Sequence, residues 1–250
     1  MVDHSQMKLG RLAPTHAQRM MAPPIMDFLT KPLPVAPPTC DNTTGAPIGM
    51  WDNNKFGNCT FAALANYAAI CSHKESTLSS FKITPAMVSK AYFEYTGGKD
   101  EGAVETLVLH RAMTAGFDFG YKDPYRIATF VSVPIANVAA CKSLMALFNG
   151  LYLGVNLPLA AQNQKIWTAP KNMAGVNVPG SWGGHALLAG NYDLSDLMDL
   201  VTWGELQKVE QEWLFNYCTE AYVLLDEARA GIAGVDWEML MTYLRSVPMQ

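Results

Sequence analysis

Two side chains in this 250-residue chain have the types and settings that nucleophilic chemistry needs. Cys59 stands where the polar, Gly-containing stretch Trp51-Asp52-Asn53-Asn54-Lys55-Phe56-Gly57-Asn58 gives way to the small-residue apolar run Thr60-Phe61-Ala62-Ala63. The first N–H groups of a helix have no intrahelical partner, so a thiolate placed there is stabilised by free donors and by the positive end of the helix dipole. His185 opens an apolar run directly after Gly183 and Gly184, two residues that let another backbone or a substrate come close. A thiol at a helix start and a distant imidazole on a strand are the parts of a Cys–His nucleophilic pair. Taken singly, each has a plainer explanation: a small buried hydrophobe opening a core helix, and a satisfied histidine at a strand end.

The elements that must position these groups are legible as periodicities. From Cys59 onward, Phe61, Leu64, Ala65, Ala68 and Ala69 share one face at helical spacing. Thr84-Pro85 caps and opens a second helix that stops at Gly97-Gly98, Val104 to Ala115 is a third, ended by Gly116, and Asn137 to Phe148 a fourth. Short aliphatic and aromatic runs then predict strands at Ile127 to Val133, Leu151 to Leu157, Gly184 to Tyr192, Met198 to Trp203 and Ala221 to Leu225. Gln162 to Trp182 reads as a long functional or anchoring loop with Trp167 and Trp182 on it. Helical spacing returns over Glu205 to Tyr217 and again over Trp237 to Leu244. The order predicts an α+β chain, with Cys59 on a central helix of the N-terminal helical half and His185 in an antiparallel β half. Residues 1–49, with Pro14, Pro23, Pro24, Pro32, Pro34, Pro37, Pro38 and Pro47, read as an extended arm ahead of a domain spanning 50–250.

Composition excludes several classes. A formal net charge of −4 leaves no Lys/Arg excess to neutralise phosphates, so nucleic acid is not the expected partner. The five cysteines are odd in number, widely spread and free of CxxC spacing, which argues against a disulfide framework or zinc site and for a reducing compartment. No phosphate loop, dinucleotide fingerprint or paired metal carboxylates occur, so no cofactor and no metal are expected. The N-terminus lacks a long apolar core and no eighteen-residue apolar run appears, so no membrane association and a cytoplasmic, soluble protein are expected.

The order of motifs carries a resemblance. Asn53 ahead of a helix-opening Cys59, then Gly184-His185-Ala186 leading a strand that ends near Gly190-Asn191-Tyr192, then Val201-Thr202-Trp203-Gly204, resembles the skeleton of papain-like cysteine peptidases across roughly residues 50 to 226. It is similar also to bacteriocin-leader-processing peptidases and to small papain-like proteins encoded by phages and prophages. The resemblance implies a papain-like fold and a thiol hydrolase acting on a peptide or protein substrate through an acyl-enzyme. Cys59 would be the nucleophile and His185 its base, and the Asn53 amide would hold the oxyanion. Asn53 is one methylene shorter than the family's glutamine, and Asn53 and Asn54 are equally turn formers. Where the family carries the Asn or Asp that orients the imidazole, this chain has Val201. Thr202 could supply its hydroxyl if a bulge or register shift turned it inward, because neighbouring strand residues face opposite ways. Asp193, Asp196 and Asp199 are further acceptors in a turn. Trp182, Gly183, Gly184 and Trp203 would wall the substrate groove, with Trp203 equally a core aromatic. The alternative function is a weakened or inactive papain-like fold used as a structural or binding protein of a phage particle, its arm strapping neighbouring subunits. An arm lying in its own groove would instead mean self-inhibition.

Overall fold

The computed structural model describes residues 4–76, 82–120, 123–195 and 197–247. Along the chain come β1 (Arg11–Leu12), α1 (His16–Arg19), β2 (Cys40–Asp41), α2 (Cys59–Lys74), α3 (Pro85–Tyr95), β3 (Ala103–Val104), α4 (Glu105–Thr114), β4 (Thr129–Ser132) and α5 (Val138–Phe148). They are followed by β5 (Leu151–Leu157), β6 (Ile166–Trp167), β7 (Gly183–Tyr192), β8 (Leu197–Thr202), β9 (Glu205–Glu210), α6 (Gln211–Tyr217), β10 (Cys218–Leu225), α7 (Glu227–Ala233) and α8 (Trp237–Ser246). The α+β order expected from the sequence is the one observed.

Local chemistry explains where the elements begin. Thr84 caps α3 through the Met87 N–H with Pro85 in the first turn, Asn137 caps α5, and Asp226 and Asp236 cap α7 and α8. In α2 every residue from Cys59 to Ile70 is buried, so the helix is enclosed on all sides rather than lying on a surface. The main sheet runs β4-β10-β5-β7-β8-β9-β6, with β2 added to β7, and it is antiparallel apart from β6 against β9. Alternation along the central strands divides the interior in two. Ala186, Leu188, Tyr222 and Leu224 join α2 and α4 in one core, while Leu187, Ala189, Ala221 and Val223 join α5, α6 and α7 in the other. Residues of the Pro-rich segment enter both: Ala22 the first, Ile25 and Phe28 the second.

Two sequence expectations need correction. Glu205 to Tyr217 is not one helix but a strand followed by a helix, and α7 was not foreseen. In Glu205–Glu210 burial alternates, with Gln207 and Val209 turned inward, a period of two that the following Trp213, Leu214 and Tyr217 obscure when the whole stretch is read together. Residues 4–49 also carry short elements of their own, including 3-10 turns at His4–Gln6 and Ile25–Phe28, besides extended chain.

Candidate active site

The loop before α2 is built to present Cys59. Trp51 and Asp52 adopt left-handed backbone (φ 52° and 60°), and the turn is tied down from the helix it precedes. Asn66 of α2 accepts from Gly49 N–H and Trp51 Nε1–H and donates back to the Gly49 carbonyl. Asn58 donates to the Trp51 carbonyl at 2.9 Å, and Asp100 accepts from Gly57 N–H at 2.8 Å. Cys59 then heads the helix with its side chain fully enclosed. Its thiol is hydrogen-bonded by the backbone of Ala186, the residue next to His185, and by the backbone of Gly10. Burial pushes the thiol up to about 11 with Glu105 adding to the rise, against the pull of those hydrogen bonds and of Arg11.

His185 lies near the start of β7, and its Nε2 is 2.8 Å from Thr202 Oγ1. The register explains why Thr202, not Val201, meets the ring. At the far end of the β7–β8 ladder Asn191 pairs with Asp199, but beyond an irregularity at Gly190 Ala189 pairs with Leu200 and Leu188 with Val201. That slip places Thr202 across from Leu187, on the face His185 shares, and turns Val201 into the core beside α2. Trp203, at φ 46°, stacks on the His185 ring at 4.4 Å, and Trp182 and His4 pack against Trp203 at 5.4 and 5.1 Å. The imidazole is 1 % exposed, its Nδ1 has no hydrogen-bond partner among the described residues, and burial, reinforced by Arg11 and His4, holds it down at about 3. Thiol and imidazole are therefore both neutral at physiological pH, not an ion pair. Asp193 caps the Ser195 turn and Asp199 pairs with Lys208, so neither serves the ring. Asp196 lies outside the described residues.

The cause of this burial is the chain's own N-terminal segment. The Lys8 carbonyl accepts from Asn53 Nδ2 at 3.5 Å and from Trp203 Nε1 at 3.4 Å, long bonds at the place where a substrate carbonyl would sit. Asn53 also donates to the Phe56 carbonyl at 3.0 Å, so the turn-forming and oxyanion-facing descriptions both hold for it. Gly10 passes so near Gly57 that a Cβ on it would overlap the Gly57 carbonyl. The Gly10 carbonyl accepts from Ala103 N–H, and β1 pairs with β3 in parallel. A side chain at Gly184 would collide with the Arg11 carbonyl. Gly183 and Gly184 thus lie directly under Leu9 and Arg11 of the N-terminal segment.

No family model matches the chain, and no curated protein matches it. Solved structures do. Xylellain, a cysteine protease from Xylella fastidiosa, superposes with a TM-score of 0.64 at 15% identity over 88% of this chain and 96% of that one. The chain has the papain-like fold. A digestive procathepsin L 3 of Tenebrio molitor superposes at TM-score 0.59 and 10% identity, covering 89% of this chain and 77% of the other. A Carica candamarcensis cysteine protease does so at 0.52 and 12% identity, over 76% and 99%.

The Lys8 carbonyl joins Asn53 to Trp203, Trp203 stacks on His185 and packs against Trp182, His185 meets Thr202, and Cys59 lies against Ala186, the residue after His185. Trp167 takes no part: it is fully buried, stacked on Trp213 at 4.7 Å, and anchors its loop. The sequence reading missed His4, Gly10 and Arg11, and with them Glu105 and Glu220. A carboxylate at the head of a hydrophobic run, as in Glu220-Ala221-Tyr222-Val223-Leu224-Leu225, was the available signal, because a charge inside a buried strand needs a partner. Among the described residues no helix is long and apolar enough to cross a membrane, and no group of three His, Cys, Asp or Glu could hold a metal ion.

Proposed function

We propose that the protein is a thiol hydrolase of peptide or related amide bonds, held in a closed state by its own residues 8–12. Cys59 attacks the substrate carbonyl and His185 takes the thiol proton and returns it to the leaving amine; water, deprotonated by His185, then cleaves the thioester to release the acid and restore the thiol, while Thr202 orients the ring through Nε2. Asn53 and Trp203 donate to the oxyanion. The observation that carries this reading is the Lys8 carbonyl, which lies in front of both donors while Gly10 crosses the thiol. Of the N-terminal segment, residues 8–12 are the cover, while Ala22, Ile25, Phe28 and β2 belong to the body of the catalytic domain. With the arm in place the thiol has no thiolate character and the enzyme is silent.

Iodoacetamide labelling tests this. Wild-type Cys59 is expected to react slowly, and Arg11→Ala, which removes the buried guanidinium that fastens residues 8–12, is expected to speed its labelling and release peptidase activity. Both gains should vanish in Arg11→Ala/His185→Gln. Fast labelling that does not depend on His185 would sink the mechanism.

A second reading has one observation behind it: thiol and imidazole do not hydrogen-bond each other, and the orienting group is a neutral hydroxyl. In that reading the fold is a structural or binding protein of a phage particle, related to the phage-encoded and leader-processing proteins its motifs resemble. Its arm would strap a neighbour, after assembly in a reducing host cytoplasm. Arg11→Ala without any thiol activation, combined with a concentration-dependent oligomer lost on changing the arm, would favour it.

A further inference from the structure

The run Lys31-Pro32-Leu33-Pro34-Val35-Ala36-Pro37-Pro38 takes no part in the site around Cys59 and His185. Four of its eight residues are prolines, with φ fixed at about −65°, and Lys31, Leu33, Ala36 and Pro37 each precede a proline and are confined to extended backbone. Only Val35 is unrestrained, so the run favours polyproline II geometry before any tertiary contact forms. In the fold, residues 32–37 belong to no helix or strand. Their carbonyls are anchored at the polyproline period of three: Ser143 of α5 donates to the Pro34 carbonyl at 2.7 Å and the Tyr192 hydroxyl to the Pro37 carbonyl at 3.0 Å. The ends are held as well, by Thr30 N–H on the Gly234 carbonyl at 2.8 Å and by β2 against β7.

Three residues per turn sort the side chains onto three edges. Leu33 and Ala36 form the edge packed on the core. Pro32, Val35 and Pro38 form a second edge and are all exposed, Val35 to 96%. Lys31 and Pro37 on the third are exposed too, with Pro34 half-buried between them. A strap needs only the inward edge. Two edges left in solvent are what an aromatic-lined groove grips in a polyproline II ligand. Beside the ridge lies a cleft of about 710 Å³ against the start of α5, with Met26, Leu29, Val138, Ala139 and Lys142 on its other wall. The charge here has one sign. Among the described residues no carboxylate lines the cleft, Lys142 stands in its wall and Lys31 at the end of the ridge, and the first turn of α5, the positive end of that helix, holds no acidic residue.

We propose that residues 31–38 are a polyproline II ligand displayed on the folded domain, and that the occupant of ridge and cleft is a partner protein presenting aromatic side chains rimmed by carboxylates. The rings pack on Pro32, Val35, Pro37 and Pro38, one of them enters the cleft beside α5, and the acidic rim meets Lys31 and Lys142. Backbone hydrogen bonds contribute little, because the prolines have no N–H and the Pro34 and Pro37 carbonyls are already taken. Because the segment is ordered before the partner arrives, docking costs little chain entropy. The inference is independent of the hydrolase reading: a partner docked here recruits this chain whether or not Cys59 is active.

Binding to the full-length protein, followed by the shifts of its backbone amide resonances, tests this. The probe is a capped hexapeptide alternating glutamate with tryptophan, which stands in for acidic rim and aromatic groove together. It is expected to shift the Val35, Val138 and Ala139 amides and to bind at least about tenfold more tightly than versions carrying lysine for glutamate or leucine for tryptophan. Val35→Asp and Lys31→Glu should each weaken it at least about fivefold, whereas Leu194→Asp, at another exposed apolar position, should not. All three substitutions fall on exposed side chains, and unchanged thermal midpoints verify that the fold is intact. No binding, equal binding of the three peptides, or shifts that leave out residues 31–38 and the start of α5 would overturn the proposal. Indole-3-acetate carries the same ring and charge in one small molecule; if it binds as tightly as the hexapeptide, the cleft takes a small aromatic acid and the protein partner is wrong. Sedimentation without any probe supplies the last arm: self-association abolished by Val35→Asp would assign the ridge to a second copy of this chain and overturn the proposal.

Discussion

In the proposed mechanism Thr202 takes the orienting role with a less polar group than the Asn or Asp expected there from the papain-like resemblance. At 2.8 Å its hydroxyl oxygen can accept the Nε2 proton of a neutral imidazole, which leaves Nδ1 as the basic nitrogen available to the thiol. A neutral hydroxyl stabilises an imidazolium less than a carboxylate would, so its main effect is on ring position. Thr202→Val is expected to lower kcat about tenfold to a hundredfold in the arm-released Arg11→Ala background while KM changes little, as misplacement of a catalytic group does. Thr202→Ser should restore most of the loss, whereas Val201→Ala, which touches the core beside α2, should change the thermal midpoint and not kcat. Steady-state kinetics with midpoints measured in parallel separates the two effects. If Thr202→Val leaves kcat intact, the hydroxyl is packing and not positioning.

At the scale of elements, closure depends on glycine backbones lying against one another. Gly10 against Gly57, and Arg11 against Gly184, allow the segment leading into β1 to lie close on the groove, with the Gly10 backbone at the thiol. Gly10→Ala forces the segment away from Gly57 while leaving Arg11 and its pocket unchanged. Cys59 alkylation should then speed up about tenfold or more, since the rate follows the open population. An unchanged rate would mean that the backbone relaxes locally and the cover stays. The sequence reading reached much of this framework and missed this part for identifiable reasons. Leu151–Leu157 was placed to the residue, because Asn149-Gly150 ends α5 in left-handed backbone and the strand begins at once. Cys59 and His185 stand out in the sequence because each sits at a sharp change in residue character. Arg11 was passed over because its partners, Glu105 and Glu220, are remote in sequence, and proline density signals where a chain is extended but not what it lies on. Thr202 could be named only conditionally, since the slip at Gly190 that turns it inward leaves no local trace beyond a single glycine.

For the whole molecule, the proposed closure by residues 8–12 would be linked to protonation of the groups it buries. In the closed state His185 is held down at about 3, against about 6.5 for a solvated histidine, so below that value the open form binds more protons. Closure stability from this group is therefore complete above pH 6.5 and is lost as pH falls from there toward 3, by up to about 1.4 kcal/mol per unit. Cys59, pushed up to about 11 from an ordinary value near 9, acts at the other end: closure weakens as pH rises above 9. The arm should be tightest between pH 6.5 and 9. The charged and titratable groups that bear on the ring are Arg11 and His4, with Glu205 beyond His4, and Glu105 and Glu220 lie on the far side of Arg11. Hydrogen-exchange protection factors of the amides of residues 8–12, which are corrected for the intrinsic pH dependence of exchange, report closure directly. They are expected to be level from pH 7 to 8.5 and to fall by as much as about tenfold per unit below 6.5. His185→Gln should flatten the acid limb. A limb that persists in that variant would assign the acid response to the carboxylates that grip Arg11, and the imidazole would then be a bystander to closure.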